Sequence, residues 1–470
     1  MTAVAAVLVV AAPAAANPPA GNWYLAQDRA AEAQAALPAS LTPVRVAILD
    51  SGVDGGHPAL AGSIVGARSF VGGNPLVDTE GHGTLIAGEI VAVASAAAAD
   101  PTRPSPVQLL IGQITSGGAI EPVTEARAIY WAVHEGARVI NLSLGGLRDP
   151  KSPALDTYSP VEAAAVRYAI AHRVVVVAAA GNGDASPSEP WPYASWPAAL
   201  PHVIGVGALA PDGSVPRFSN RDPRFTELAA PGVDIVSTFP RNLTALDPAC
   251  VDQGYSDCGT PDYLRAEGTS FAAPQVAAAA ALLLSADAAL TPDQVSWLLE
   301  RNADDVNPET GCSVCPYGRD ALSGWGSLDI AKAIEALGRP MPPANPYEPT
   351  NEAGTQAHLL TAPQKAITAV LDYWENPLDV YRVHVLRGQQ LWVRLAASSG
   401  GTTLALWRPG TTAVEAAPVA TARERIVESD SLRPVKRLEY RASTTGWYYL
   451  EIRIDAPANA TYELSYTIAA

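Results

Sequence analysis

The sequence predicts an α/β fold, a parallel sheet with helices on both faces, joined to a carboxyl-terminal antiparallel β-sandwich. Two observations predict the first part. Short apolar runs of strand character alternate with helical segments between Val44 and Leu337, and polar residues of chemical interest gather just past the ends of those runs. In such sheets ligands bind beyond the carboxyl ends of the strands. The third observation is a change of style after Gly338, where a proline-rich stretch gives way to alternating strands. A chain of 470 residues also exceeds one ordinary core, so two domains are expected.

Taken in order, Trp23–Ser40 reads as a short alanine-rich helix, after which Pro43 resets the chain. Val44–Leu49 is apolar apart from Arg45 and runs into Asp50-Ser51-Gly52, a buried strand with functional groups at its carboxyl end. Gly83–Ala99 is helical, Val107–Ile114 extended and Glu121–His134 helical. Val139–Leu144 is extended, Pro160–His172 helical and Val174–Ala180 extended, with a further short strand at Val203–Val206. Helices follow at Ser270–Ala286, Pro292–Arg301 and Leu328–Leu337. Pro340, Pro342, Pro343, Pro346 and Pro349 make 339–352 a stiff linker. Val380–Leu386, Gln390–Ala396, Thr403–Trp407, Trp447–Ile454 and Tyr462–Ile468 then read as strands. Alternation such as Tyr381/Val383/Val385 and Leu391/Val393/Leu395 places one face of each against a core. The expected division is an export signal at 1–16, the α/β domain at 17–338, the linker at 339–352 and the sandwich at 353–470. There is no internal repeat.

Composition narrows the function. Acidic residues number 47 against 31 basic ones, a formal charge of −16, which argues against nucleic acid or an anionic membrane as partner. The apolar run Ala3–Ala12 followed by Ala14-Ala15-Ala16 resembles a secretory signal with its cleavage site, although no basic residue precedes it. No other run is expected to span a bilayer; Ala272–Leu284 reads as a buried helix. A secreted protein without a transmembrane anchor is therefore expected, and a monomer. Export also suits the cysteines. Cys250–Cys258 and Cys312–Cys315 are the expected local pairs, with a zinc site of all four thiolates as the alternative.

Three short stretches carry chemistry. Gly268-Thr269-Ser270 opens a helix, where free N–H groups favour a developing negative oxygen beside the serine. Asp50 ends a buried strand, and His82 lies between Gly81 and Gly83 at the start of a helix. Singly, these read as a helix cap, a turn and a packed histidine. Together, in the order Asp, His, Ser, they supply an orienting acid, a base and a nucleophile.

Asp50-Ser51-Gly52, His82-Gly83-Thr84-Leu85-Ile86-Ala87-Gly88 and Gly268-Thr269-Ser270-Phe271-Ala272-Ala273-Pro274 resemble the three signature stretches of the subtilases, the subtilisin-like serine peptidases. Ala179-Ala180-Gly181-Asn182 resembles their oxyanion segment, and Val139–Gly146 the strand that pairs with substrate. The likeness runs from about Val44 to Leu337. It implies a secreted endopeptidase in which His82 takes the Ser270 proton during attack, while Asp50 holds the imidazole tautomer. Asn182 and the Ser270 N–H would hold the tetrahedral oxyanion. A protein or peptide substrate would add as a strand to Ser143, Leu144 and Gly145. Ala180, Gly181 and the Ser195-Trp196-Pro197 region would line a pocket for one side chain. The small residues there leave room for a sizeable apolar group, and Asp184 and Glu189 leave a basic preference open.

No cofactor is implied for catalysis. Relatives often carry structural calcium, but no loop here has carboxylates at EF-hand spacing, so calcium is unassigned. Phe271 follows the serine where the family mostly has Met, and no folded propeptide fits between Asn17 and the first strand. Asn242–Arg265 forms an extended loop before Ser270, a wall of the cleft or a stapled surface insertion. The tail resembles a bacterial pre-peptidase C-terminal β-sandwich in Tyr347–Glu352, Asp379–Val383, Gly388–Leu391 and Gly446–Leu450. Two other readings compete with a secreted peptidase of ordinary type. One is a processing peptidase of a secretion system, similar to the mycosins; the other is a non-catalytic binding protein of the same fold. Absence of any Gly-x-Ser-x-Gly excludes an α/β-hydrolase.

Overall fold

A computed structural model describes residues 22–98, 105–183, 186–246, 262–342, 345, 347, 353–354, 357–361, 366–374, 376–399, 401–411, 414, 424–429 and 433–469. The expected signal at 1–16, the pair Cys250–Cys258 and Asp184 lie outside these residues. The first elements are α1 (Trp23–Gln27), β1 (Val44–Asp50), β2 (Ile64–Ser69), α2 (His82–Ala97), β3 (Val107–Gln113), α3 (Pro122–His134) and β4 (Val139–Leu142). They are followed by α4 (Pro160–Ala171), β5 (Val175–Ala179), β6 (Val203–Leu209), β7 (Leu228–Pro231), β8 (Ile235–Thr238) and α5 (Arg241–Leu246). Then come β9 (Tyr263–Ala266), α6 (Thr269–Ala286), α7 (Pro292–Glu300) and α8 (Ile330–Glu335).

A seven-stranded parallel sheet of order β2-β3-β1-β4-β5-β6-β7 organises this part. Its strands alternate between two cores. Val46 and Ile48 face α2 and α6, whereas Ala47 and Leu49 face α3 and α4. The chain moves from β3 on one side of β1 to β4 on the other, so the order switches about β1, where a ligand crevice is expected. Helix α6 is buried nearly all round, because it lies across the sheet between α2 and α7. It is long and apolar enough to cross a membrane, but that composition here serves the core.

The expected helix over Trp23–Ser40 is two pieces, α1 and a 3-10 turn at Glu32–Ala35, because Arg29 adopts a left-handed backbone with φ 54°. Strands β2 and β7 escape a reading of the sequence because β2 is an edge strand with no fully buried residue and carries Gly66, while β7 is four residues ending at Pro231. Cys312 and Cys315 are bridged, with their Cα atoms 5.4 Å apart.

The tail forms two packed sheets from β10 (His358–Leu359), β11 (Ile367–Asp372), β12 (Leu378–Val385), β13 (Gln390–Ala397), β14 (Thr402–Trp407), β15 (Arg425–Ser429), β16 (Val435–Arg441), β17 (Gly446–Ile454) and β18 (Asn459–Ala469). Their orders are β10-β12-β17-β14-β15 and β11-β18-β13-β16, antiparallel except at β10. Tyr381, Val383, Val385, Leu391, Val393 and Leu395 meet between them. Strand β16 is hidden in the sequence because Lys436 takes an inward position. Its ammonium donates to Thr402 Oγ1 at 3.0 Å and to Arg433 O at 2.7 Å.

The sandwich is fastened where the parallel strands begin. His202, just before β6, meets Asp293 at 2.8 Å, and Trp325 N donates to Glu227 O, just before β7. From this end Arg301 stacks on Trp325 at 3.5 Å and reaches Asp372 at 3.5 Å, while Arg319 stacks on Trp374 at 3.6 Å.

On the opposite face of the sheet, α3 and α4 pack side by side with Glu125 and Glu162 facing each other in their first turns. Burial raises both carboxyls. Glu125 is lifted further by its partner, and Glu162 stands at about 7 against an ordinary 4.5. The folded state therefore holds protons that the unfolded chain releases, and stability falls as pH rises from about 4.5 through about 7. Thermal melts at about pH 5 and about pH 8 should show this fall, and Glu162→Gln should flatten it. An unchanged slope in the variant would assign the pH dependence to other groups.

Candidate active site

Asp50, His82, Ser143, Asn182 and Ser270 converge beyond the carboxyl ends of β1, β4 and β5 and the amino end of α6. Asp50 is nearly buried, and both of its oxygens lie 2.9 Å from His82 Nδ1. A carboxylate so placed fixes the tautomer with Nδ1 protonated and leaves Nε2 for other work. Burial opposes charging the ring, but the Asp50 charge and hydrogen bond, with Asp78 and Glu80, outweigh it. The His82 pKa is therefore raised above 6.5.

Glycines permit this approach. A Cβ on Gly83 would lie 2.1 Å from Gly52 O, and Gly81 takes φ 95°. Asp78, which the sequence reading passed over, holds the turn. Its Oδ1 accepts from Ser51 Oγ at 3.0 Å and Gly81 N at 2.8 Å, and its Oδ2 from Thr84 N at 3.0 Å and Thr84 Oγ1 at 2.6 Å. It thus caps the helix carrying His82 while tying it to the strand carrying Asp50. An aspartate four residues before that histidine was the only available signal.

Ser270 sits in the first turn of α6. Pro274, four residues on, has no N–H to give the Ser270 carbonyl. Ser143 Oγ donates to that carbonyl instead at 2.7 Å, and Ser270 Oγ donates to Ser143 O at 3.3 Å. The helix is thereby tied to the segment just past β4, where Ser143, Leu144 and Gly145 leave the strand. Phe271 packs on the His82 ring at 5.5 Å between centroids. Asn182 Oδ1 accepts from Thr269 N at 3.0 Å and Thr269 Oγ1 at 2.9 Å. That contact sets the amide orientation and turns its N–H₂ away from Thr269, beside Gly268. An acid, a base, a hydroxyl and an amide donor thus share one crevice, the equipment for nucleophilic acyl transfer.

The model of the subtilase family matches residues 42–326. This chain belongs to the subtilase family. Subtilisin DY of Bacillus licheniformis is 34% identical over 264 residues, 56% of this chain and 84% of that protein. The subtilisin of Bacillus pumilus is 35% identical over 262 residues, 55% of this chain and 83% of its own length. An intracellular serine protease of Paenibacillus polymyxa is 33% identical over 248 residues, 51% of this chain and 66% of that protein. Among solved structures, a lanthipeptide protease matches with a TM-score of 0.52 and 26% identity, covering 67% of this chain and 94% of that one. The subtilase is a serine endopeptidase acting on protein or peptide substrates.

Ala180 and Gly181 follow β5 as the wall opposite Ser143–Gly145, with Gly181 at φ 99°. Among the described residues, no three His, Cys, Asp or Glu side chains gather to hold a metal ion.

Gly268 adopts φ 143°, and a Cβ there would come 3.2 Å from Asn182 Nδ2. Gly268→Ala should therefore disturb both the entry to α6 and the amide donor. The expected loss in kcat is about 10–10³-fold, the upper end being the subtilisin precedent for removing such a donor. Steady-state kinetics beside a melting curve would test this; full turnover in the folded variant would contradict it.

Proposed function

We propose that Asp50, His82 and Ser270 are the catalytic triad of a secreted endopeptidase, with Asn182 and the Ser270 N–H as its oxyanion hole. The observation that carries this reading is the two-oxygen contact of Asp50 with His82 Nδ1, in the crevice that holds Ser270. Ser270 Oγ attacks the scissile carbonyl carbon as His82 Nε2 takes its proton. Asn182 and the Ser270 N–H stabilise the resulting oxyanion. His82 then protonates the departing amine, and water cleaves the acyl-enzyme by the same route. Asp50 holds the ring through Nδ1 and stabilises the imidazolium. The peptide adds to Ser143, Leu144 and Gly145, whose backbone lies outside the strand ladder.

Export is supported by the apolar Ala3–Ala12 run, the Ala14-Ala15-Ala16 segment and the Cys312–Cys315 bridge. We take the protein to act as a monomer and to need no cofactor for the chemistry. Dedicated processing of one class of precursor is a second reading, supported by the fold likeness to a lanthipeptide protease.

Labelling of the purified protein with a fluorophosphonate probe tests the first reading. A peptide aldehyde should block it, and Ser270→Ala should abolish both labelling and hydrolysis; activity surviving in that variant would refute the assignment. The His82 pKa supplies a second test. The base works in its neutral form, so activity rises as pH climbs through a pKa raised above 6.5. The acid limb of kcat/KM should fall above that value and move downward in Asp50→Asn. A limb unmoved by the substitution would remove Asp50 from the role.

A further inference from the structure

We infer that Ser195 closes the slot that receives the substrate side chain preceding the scissile bond, so that this enzyme cuts after small residues such as Ala, Gly or Ser. The inference rests on the proposed catalytic site. It departs from the roomy apolar pocket that the small residues of the sequence suggest.

The slot is bounded by two walls. Strands β4 and β5 are paired up to Leu142 and Ala178, after which Ser143–Gly146 and Ala180–Asn182 continue on either side. A peptide lying on the first wall, with its carbonyl oxygen at Asn182, drops the adjacent side chain between them. The segment Ser195-Trp196 crosses beneath. On one side Gly146 N donates to Trp196 O at 2.8 Å, and Trp196 N to Gly146 O at 3.0 Å. On the other, Ser195 N donates to Ala180 O at 2.8 Å. With both walls joined to it, this segment is the floor.

Its side chain fills the gap. A Cβ on Gly181 would lie 2.1 Å from Ser195 Oγ, and one on Gly145 would lie 3.0 Å from Ser195 Cβ. The two glycines thus already meet Ser195, and their missing side chains do not translate into free space. The hydroxyl is pinned as well. Fully buried Asn220 donates through Nδ2 to Ser195 Oγ at 3.2 Å and to Ala180 O at 3.1 Å. Beneath, Asp222 accepts from Ala194 N at 3.2 Å and pairs with Arg148 at 2.9 Å, so the floor is braced from below. A long side chain would have to displace a doubly anchored strand.

The test compares peptides identical except for Ala, Leu or Phe before the cleaved bond, with fluorophosphonate labelling run in parallel. The native enzyme should favour Ala over Phe in kcat/KM by about tenfold or more, since each poorly housed group costs on that scale. Ser195→Gly should shift that ratio toward Phe by about tenfold or more, and Ser195→Thr should weaken cleavage after Leu further. A labelled native enzyme that prefers Phe overturns the inference, whether or not the variants fold, and leaves the triad standing. So does a labelled Ser195→Gly with an unchanged ratio. Absence of labelling in the native enzyme would instead remove the peptidase reading, and the inference with it.

Discussion

Helix α6 is buried between the sheet, α2 and α7, and the placing of Ser270 depends on that burial. Leu282, Leu283 and Leu284 are almost without exposure, each contributing about 1.5–3 kcal/mol by leaving water. The helix therefore cannot slide, and its first turn is held against the ends of β4 and β5. Pro274 then works locally. By leaving the Ser270 carbonyl without a helical donor, it gives Ser143 an acceptor and joins α6 to the segment just past β4. Core packing sets the coarse position, and one missing N–H sets the fine one.

The same division of labour holds around His82. Asp78 gathers Ser51, Gly81 and Thr84 into one network, so the strand bearing Asp50 and the helix bearing His82 share an anchor. Close approach of Gly83 to Gly52 O completes the fit. The β-sandwich stands apart from all this. Its Arg–Trp clasp lies where the strands begin, so it leaves the carboxyl-end crevice clear for a protein substrate.

Much of this was legible beforehand. The apolar run Val44–Leu49, the glycines beside His82 and the Gly-Thr-Ser turn are local patterns, and local patterns survive in one dimension. Elements that depend on a partner did not show. Strand β7 is four residues ending at Pro231, and β16 presents Lys436 where an apolar residue would mark the inward face. Arg29 ended the first helix through a backbone angle that its residue type does not announce.

What the sequence by itself determined was the doubly covered parallel sheet, the family and the residues placed at strand and helix ends. All of these follow from short periodicities and from the few residue types able to do acyl transfer. Only the tertiary structure decided which distant groups meet. It brought Asp78 under the histidine turn, paired Glu125 with Glu162 across two helices, and set Ser195 between two glycine walls. The physical reason is that a glycine in the sequence signals room, whereas the space beside it belongs to whichever side chain the fold brings there.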